Sequence, residues 1–154
     1  MSLAAQVIAA AKTAGKTVTA AESCTGGMIT AALTDVAGAS AVIERGFVTY
    51  SNAAKEDMLG VSARTLAAHG AVSQEVAAEM AQGARAHARA DIAVSVTGIA
   101  GPGGSDHKPE GRVCFGISGP NGVATQTVEF GALGRSQVRA AACDHALQLV
   151  LAQL

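Results

Sequence analysis

A chain of 154 residues is long enough for one domain and short for two, so a single domain over 1–154 is expected. Hydrophobic residues make up 49% of it and charged residues 15%, which excludes a disordered chain, since that class lacks apolar surface to bury. Eleven Lys and Arg against twelve Asp and Glu leave a net charge of -1, which argues against nucleic acid as a partner because a nonspecific binder needs a broad basic face.

No apolar run approaches the roughly 18 to 20 residues that span a bilayer. The opening MSLAAQVIAAAK lacks the basic start and cleavage pattern of a signal peptide, so no membrane association and a cytoplasmic location are expected. Cys24, Cys114 and Cys143 are odd in number and scattered, with no CxxC pair, which indicates neither a disulfide framework nor a metal site. Aromatics reach only 3% while Gly numbers 18, so the core must be built from small side chains on closely packed backbones. Alanine contributes little buried area, and a homo-oligomer is therefore expected to supply what the monomer lacks.

From Leu3 to Ala14 apolar residues recur at three and four, predicting a helix that Gly15 ends. Thr17 to Ala21 reads as a strand; Glu22-Ser23-Cys24-Thr25-Gly26-Gly27 is a tight turn, and Met28, Ile29, Ala32 and Leu33 resume a helical spacing. Ala37-Gly38-Ala39-Ser40 breaks that helix. Ala41 to Tyr50 reads as a strand with a kink at Gly46. Asn52 is expected to cap a short helix ended by Gly60, and Ser62 another that reaches His69 and Gly70.

Ser73 opens a longer helix through Met80 to Ala90, with Arg85, His87 and Arg89 where cations suit the helix dipole. Asp91 to Thr97 is a buried-looking strand that runs into a Gly- and Pro-rich loop, Gly98 to Gly111. Val113 to Ser118 and Val123 to Phe130 are strands joined by Gly119-Pro120-Asn121-Gly122, whose Asn-Gly signals a hairpin. Ser136 to Leu154 closes the chain as a helix with Val138, Ala142, Ala146, Leu149 and Val150 on one face. The sum is an α/β fold: one three-layer α/β/α domain with a mixed, mostly parallel sheet and a C-terminal antiparallel hairpin.

Ligands of open α/β sheets collect beyond the carboxyl ends of strands, and three segments of this chain follow predicted strands. In the first, Ser23 is a candidate nucleophile, beside backbone N–H groups of Thr25, Gly26 and Gly27 that would stabilise an oxyanion; the bland alternative is that Ser23 or Thr25 caps a helix. Cys24 is a rival nucleophile, although a free Cys in such surroundings is most often a small buried hydrophobe. A serine needs a base, and none of His69, His87, His107 and His145 shares its strand-end position. Lys55 does, five residues after Tyr50; it acts as a base only if desolvation leaves its amine neutral, and otherwise it is a solvated surface charge. The third segment, Gly98 to Gly111, has N–H groups able to cradle an anion, yet it matches neither the GxxxxGK[ST] nor the GxGxxG spacing. Arg135 and Arg139 are candidates to pair with a phosphate or with surface carboxylates.

Taken together, AESCTGG (21–27), ERGFVTYSNAAK (44–55), SVTGIAGPGG (95–104) and KPEG (108–111) resemble the CinA C-terminal domain family, whose stand-alone members are nicotinamide-nucleotide amidohydrolases, or NMN deamidases. The resemblance covers nearly the whole chain. It implies hydrolysis of the carboxamide of nicotinamide mononucleotide to nicotinate mononucleotide and ammonia, in pyridine nucleotide salvage, with no metal and no cofactor. It further implies Ser23 as nucleophile, Lys55 and Tyr50 as proton-transfer partners, Thr97 as a helper, and Arg135 as the family's Arg before the closing helix. Substrate contacts are then expected from Thr25, Gly26, Gly27, Thr97, Gly98, Gly101, Gly103, Gly104 and Arg135. The glycine loop is about one residue shorter than the family form, and Ala132-Leu133-Gly134 stands where an acidic residue commonly precedes the Arg. The N-terminal domain of full-length CinA proteins is not expected, so roles tied to it are not carried over. Two other classes remain open: a non-catalytic nucleotide-binding or regulatory module, and an oxidoreductase using Tyr50 and Lys55, which the absent dinucleotide fingerprint disfavours.

Overall fold

A computed structural model describes residues 1–105 and 107–154. Its elements, in chain order, are α1 (Leu3–Ala14), β1 (Val18–Glu22), α2 (Met28–Thr34), β2 (Phe47–Val48), α3 (Asn52–Leu59), α4 (Ala63–His69), α5 (Gln74–Ala88), β3 (Ile92–Gly98), β4 (Arg112–Gly119), β5 (Gly122–Glu129) and α6 (Arg135–Ala152). The strands form one sheet in the order β2-β1-β3-β4-β5. β1 pairs in parallel with both β2 and β3, while β3–β4 and β4–β5 are antiparallel. Four strands therefore run one way and only β4 is reversed, which is the mixed sheet the sequence predicts.

Period-two alternation divides the sheet into two cores. Val18 and Ala20 of β1, Ile92, Val94 and Val96 of β3, and Val113, Phe115 and Ile117 of β4 pack with α1, α2 and α6. Ala21, Phe47 and Ala93 face the other way, against Leu59, Val61, Leu66, Val76, Met80 and Ala84 from α3 to α5. On this second side the small residues set the spacing. A Cβ at Gly116 would lie 2.5 Å from the Ala77 carbonyl, and one at Gly83 only 1.9 Å from that of Leu59. Ser95 adds a bond from its hydroxyl to the Ala77 carbonyl at 2.6 Å, so α5 lies directly on the strands.

Several boundaries differ from the sequence reading. The strand expected over Ala41 to Tyr50 shrinks to Phe47–Val48, preceded by a 3-10 turn at Ala39–Ala41. Its earlier part pairs irregularly: the Val42 carbonyl accepts from Val18 N–H at 3.0 Å, and the Arg45 carbonyl from the Thr19 hydroxyl at 2.7 Å. Ser51, not Asn52, caps α3, its hydroxyl accepting from Ala54 N–H. The hairpin is tighter than expected, because Gly119 and Gly122 themselves pair and leave only Pro120-Asn121 as the loop. Arg135 is already the first residue of α6, and Gly98 the last of β3.

β1 sits between β2 and β3; the chain leaves β1 through α2 on the face of the first core and leaves β2 through α3 to α5 on the face of the second, so a crevice opens at the carboxyl ends of β1 and β3. That is the topological switch point of an open α/β sheet.

Candidate active site

At that point lies a cleft of about 400 Å³. Ser23 and Cys24 reach it from the end of β1, Tyr50, Asn52 and Lys55 from β2 and α3, and Thr97 to Ser105 from β3 and its loop; Lys108 and Arg135 complete the wall.

Ser23 is placed by the turn that the sequence marked. Its N–H donates to the Val96 carbonyl at 3.0 Å, anchoring it to β3, and its carbonyl accepts from Gly26 N–H at 3.0 Å, closing the turn. Gly26 and Gly27 have φ of +57° and +107°, backbone conformations that cost a glycine little and other residues more. The turn is stiffened by Glu22, whose fully buried carboxylate accepts from the N–H groups of Gly27, Ile29 and Thr30 at 3.2, 2.9 and 2.9 Å and from the Thr30 hydroxyl at 2.8 Å.

Lys55 is only 1% exposed. Its Nζ lies 2.9 Å from Ser23 Oγ, 3.0 Å from the Thr49 carbonyl and 3.3 Å from the Tyr50 carbonyl. Burial lowers its pKa from the ordinary lysine value, and a negative charge on Cys24 would oppose that. The Cys24 thiol is itself pushed up to about 11, chiefly by burial, so at neutral pH it is uncharged. It is therefore a poor nucleophile, and the lowering of Lys55 stands.

The remaining expected site residues divide. Gly98, Gly101, Gly103 and Gly104 line the cleft, as does Thr97, whose hydroxyl donates to the Ala71 carbonyl at 2.9 Å. Gly103 N–H is taken by the Glu110 carboxylate, whereas those of Ala100, Gly101 and Gly104 have no partner among the described residues. Arg135 donates to the Gly101 carbonyl and to the Tyr50 hydroxyl, both at 2.7 Å. Tyr50 thus reaches Lys55 through its main-chain carbonyl, while its hydroxyl faces Arg135.

Thr25, Gly26 and Gly27 require correction: they do not line the cleft. The Gly26 and Gly27 N–H groups are spent on the Ser23 carbonyl and the Glu22 carboxylate. Arg139, expected to meet a phosphate or surface carboxylate, instead donates to the carbonyls of Cys24 and Thr25. No described hydrogen bond joins a histidine to Ser23; His87 and His145 bond to the Gly83 carbonyl and to Gln126.

Sequence reasoning missed Glu22 and Lys108. An acidic residue ending an otherwise uncharged, buried strand just before a Gly-Gly turn is a signal for a buried carboxylate holding N–H groups. Lys108, whose Nζ donates to the carbonyls of His69 and Val72 at 2.7 and 2.5 Å, had no signal, because its place depends on how the loop folds back on α4. Among the described residues, no group of three or more His, Cys, Asp and Glu is placed to hold a metal ion, and no helix is long and apolar enough to cross a membrane.

A family model described as the CinA C-terminal domain matches residues 1–154. The chain is 53% identical over 154 residues to the nicotinamide-nucleotide amidohydrolase PncC of Escherichia coli (strain K12), covering 99% of this chain and 93% of that protein. It is 51% identical over 146 residues to a CinA-like protein of Anaeromyxobacter dehalogenans (strain 2CP-C), a match that spans 94% of this chain and 35% of that longer protein. Among solved structures, the competence/damage inducible protein CihA from Agrobacterium tumefaciens superposes with a TM-score of 0.94 at 49% identity, over 97% of this chain and 92% of that one.

Proposed function

The chain belongs to the CinA C-terminal domain family, and from this membership and the geometry of the cleft we propose that it hydrolyses the carboxamide of nicotinamide mononucleotide to nicotinate mononucleotide and ammonia. The observation that carries the reading is the buried contact of 2.9 Å between Lys55 Nζ and Ser23 Oγ. A neutral amine has two N–H bonds and one lone pair. The Thr49 and Tyr50 carbonyls accept the two N–H bonds, and the lone pair is left for the hydroxyl proton of Ser23.

Lys55 then takes that proton as Oγ attacks the carboxamide carbon. The tetrahedral intermediate collapses with transfer of the proton to the departing nitrogen, so ammonia leaves and an acyl ester on Ser23 remains. Water, activated by the same amine, attacks the ester and frees the acid and the serine. One water is consumed for each ammonia released, and the amine ends as it began. Lys55 is the immediate base in this scheme. Tyr50 serves through its carbonyl at the amine and its hydroxyl at Arg135.

The substrate's phosphate is assigned to the rim formed by Arg135, Lys108 and the open N–H groups of Ala100, Gly101 and Gly104. Two of the five guanidinium N–H bonds of Arg135 are engaged, which leaves donors for an anion.

The test is to incubate the purified protein with nicotinamide mononucleotide and a chelator and to follow ammonia and product acid. The wild-type chain is expected to release both, and folded Ser23→Ala neither above background. Full activity in Ser23→Ala overturns the nucleophile, and binding without product makes the cleft a nucleotide-binding module.

A further inference from the structure

Tyr50 is 61% exposed, more than any other large hydrophobic residue except Met1, yet its hydroxyl is held by Arg135 at 2.7 Å. A hydrogen bond at the phenol oxygen grips the ring by its edge and leaves its faces uncovered, in keeping with that exposure. Tyr50 is also the one aromatic residue among the described residues that line the cleft. Phe47 and Phe115 are buried in the two cores, and Phe130 packs against the first.

The residue runs along the cleft from end to end. Its carbonyl accepts from Lys55 Nζ at 3.3 Å, beside Ser23 Oγ. Its hydroxyl meets Arg135, which also donates to the Gly101 carbonyl. With a carboxamide at Ser23 and a phosphate at Arg135, the middle of the substrate lies alongside the Tyr50 side chain, which joins the same two points. In nicotinamide mononucleotide that middle is a pyridinium ring and a ribose.

The pyridinium nitrogen is quaternary, so the ring carries a positive charge that no loss of a proton removes. No Asp or Glu is among the described residues lining the cleft, whereas Lys108 and Arg135 are. The attractive partner left for a delocalised cation is the negative face of an aromatic ring.

From this geometry we infer that Tyr50 is a specificity-determining residue: its ring face receives the positively charged pyridinium ring of the substrate and selects it over a neutral ring of the same shape. The inference rests on the amidohydrolase reading above, which sets the two ends of the substrate.

The experiment measures kcat and KM of wild type, Tyr50→Phe and Tyr50→Leu on two substrates. One is nicotinamide mononucleotide; the other is its neutral C-nucleotide analogue, in which a phenyl ring bearing the same carboxamide replaces the pyridinium. Each variant is compared with wild type on the same substrate, so the different intrinsic reactivity of the two amides cancels. A cation on an aromatic face corresponds to a factor of about 3 to 30 in affinity. Tyr50→Leu is expected to lose that much more on the pyridinium substrate than on the neutral one, chiefly in KM. Tyr50→Phe keeps the ring and is expected to keep the wild-type preference. The chain has a single Tyr and no Trp, so its tyrosine emission reports this ring alone. Titrating folded Ser23→Ala with nicotinamide mononucleotide is expected to quench that emission saturably, and the neutral analogue to quench it much less.

Equal losses on both substrates in Tyr50→Leu make the ring a contact of shape alone and overturn the inference, as does wild-type activity of that variant on both. A preference lost in Tyr50→Phe as well places the discrimination in the hydroxyl and overturns it too. If Tyr50→Leu does not fold, the titration decides, and quenching that never saturates overturns the inference. If wild type releases no ammonia but the quenching saturates, the amidohydrolase reading fails and the pyridinium contact stands. If ammonia is released and the preference survives in Tyr50→Leu, the contact fails and the reading stands. With neither turnover nor quenching, both fall.

Discussion

Lys55 Nζ meets Ser23 Oγ at 2.9 Å although 32 positions separate the two residues. The contact follows from topology. β1 delivers Ser23 at its carboxyl end, β2 lies beside β1 in parallel, and α3 starts just after β2, so Lys55 returns to the strand end that Ser23 occupies. Leu59 of α3 belongs to one apolar cluster with Val76, Met80 and Ala84 of α5, which holds α3 in place, and Lys55 is left only 1% exposed.

Lys55→Arg keeps a cation at this position but fixes its charge, because a guanidinium does not lose its proton in the accessible pH range. Loss of a general base costs about 10² to 10⁴ in rate, so ammonia release from nicotinamide mononucleotide is expected to fall by at least about 10²-fold. Near-normal turnover in this variant would remove Lys55 from the mechanism.

Activity should also follow the protonation of Lys55. Its amine acts only when neutral, so kcat/KM is expected to decline on the acid side through a pKa below the ordinary lysine value of 10.5, in the direction that burial sets. The stability effect has the same sign. The folded pKa lies below the unfolded one, so between the two the unfolded chain binds the extra proton, and stability rises with pH across that window. Urea unfolding of wild type against Lys55→Met is therefore expected to shift in favour of wild type as pH rises toward 10.5. A difference independent of pH would mean that Lys55 is not desolvated on folding.

The sequence made most of this site legible, because its chemistry-bearing residues sit at strand ends that local patterns mark. Ser23 precedes a Gly-Gly turn, Lys55 follows a cap, and Thr97 lies next to the end of a buried strand. What the sequence did not carry is how the main chain is spent. Only coordinates tell that Gly26 and Gly27 N–H groups are already engaged, that Arg139 faces carbonyls rather than phosphate, or that Lys108 folds back on α4. The segment before β2 was misread for a related reason: Val42 and Arg45 satisfy the Val18 N–H and the Thr19 hydroxyl without forming a regular ladder, a non-local arrangement that β-branched composition does not distinguish from a strand.

Glu22→Gln tests the stiffening of the turn. The carboxylate accepts four hydrogen bonds with its two oxygens, and a carboxamide turns an N–H₂ donor toward N–H groups that need an acceptor. A buried unsatisfied donor costs about 1 to 3 kcal/mol, so denaturant unfolding is expected to show a loss of that size. Unchanged stability would mean that the carboxylate is not the partner these amides require.

Gly83→Ala reverses an ordinary rule. In a free helix the exchange would stabilise by about 1 kcal/mol, but here the new Cβ would lie 1.9 Å from the Leu59 carbonyl. Backbone carbonyl cannot swing aside as a side chain can, so α3 must move away from α5, at a cost of about 1 to 3 kcal/mol for overpacking. Leu59 is one turn after Lys55 on the same helix, and the displacement carries the amine away from Ser23. Misplacement by about 1 Å costs up to about 10²-fold in rate, so Gly83→Ala is expected to lose both thermal stability and ammonia release while Ser23 and Lys55 remain chemically intact. A variant as stable and as active as wild type would show that the close approach of α3 and α5 does not set the position of the base.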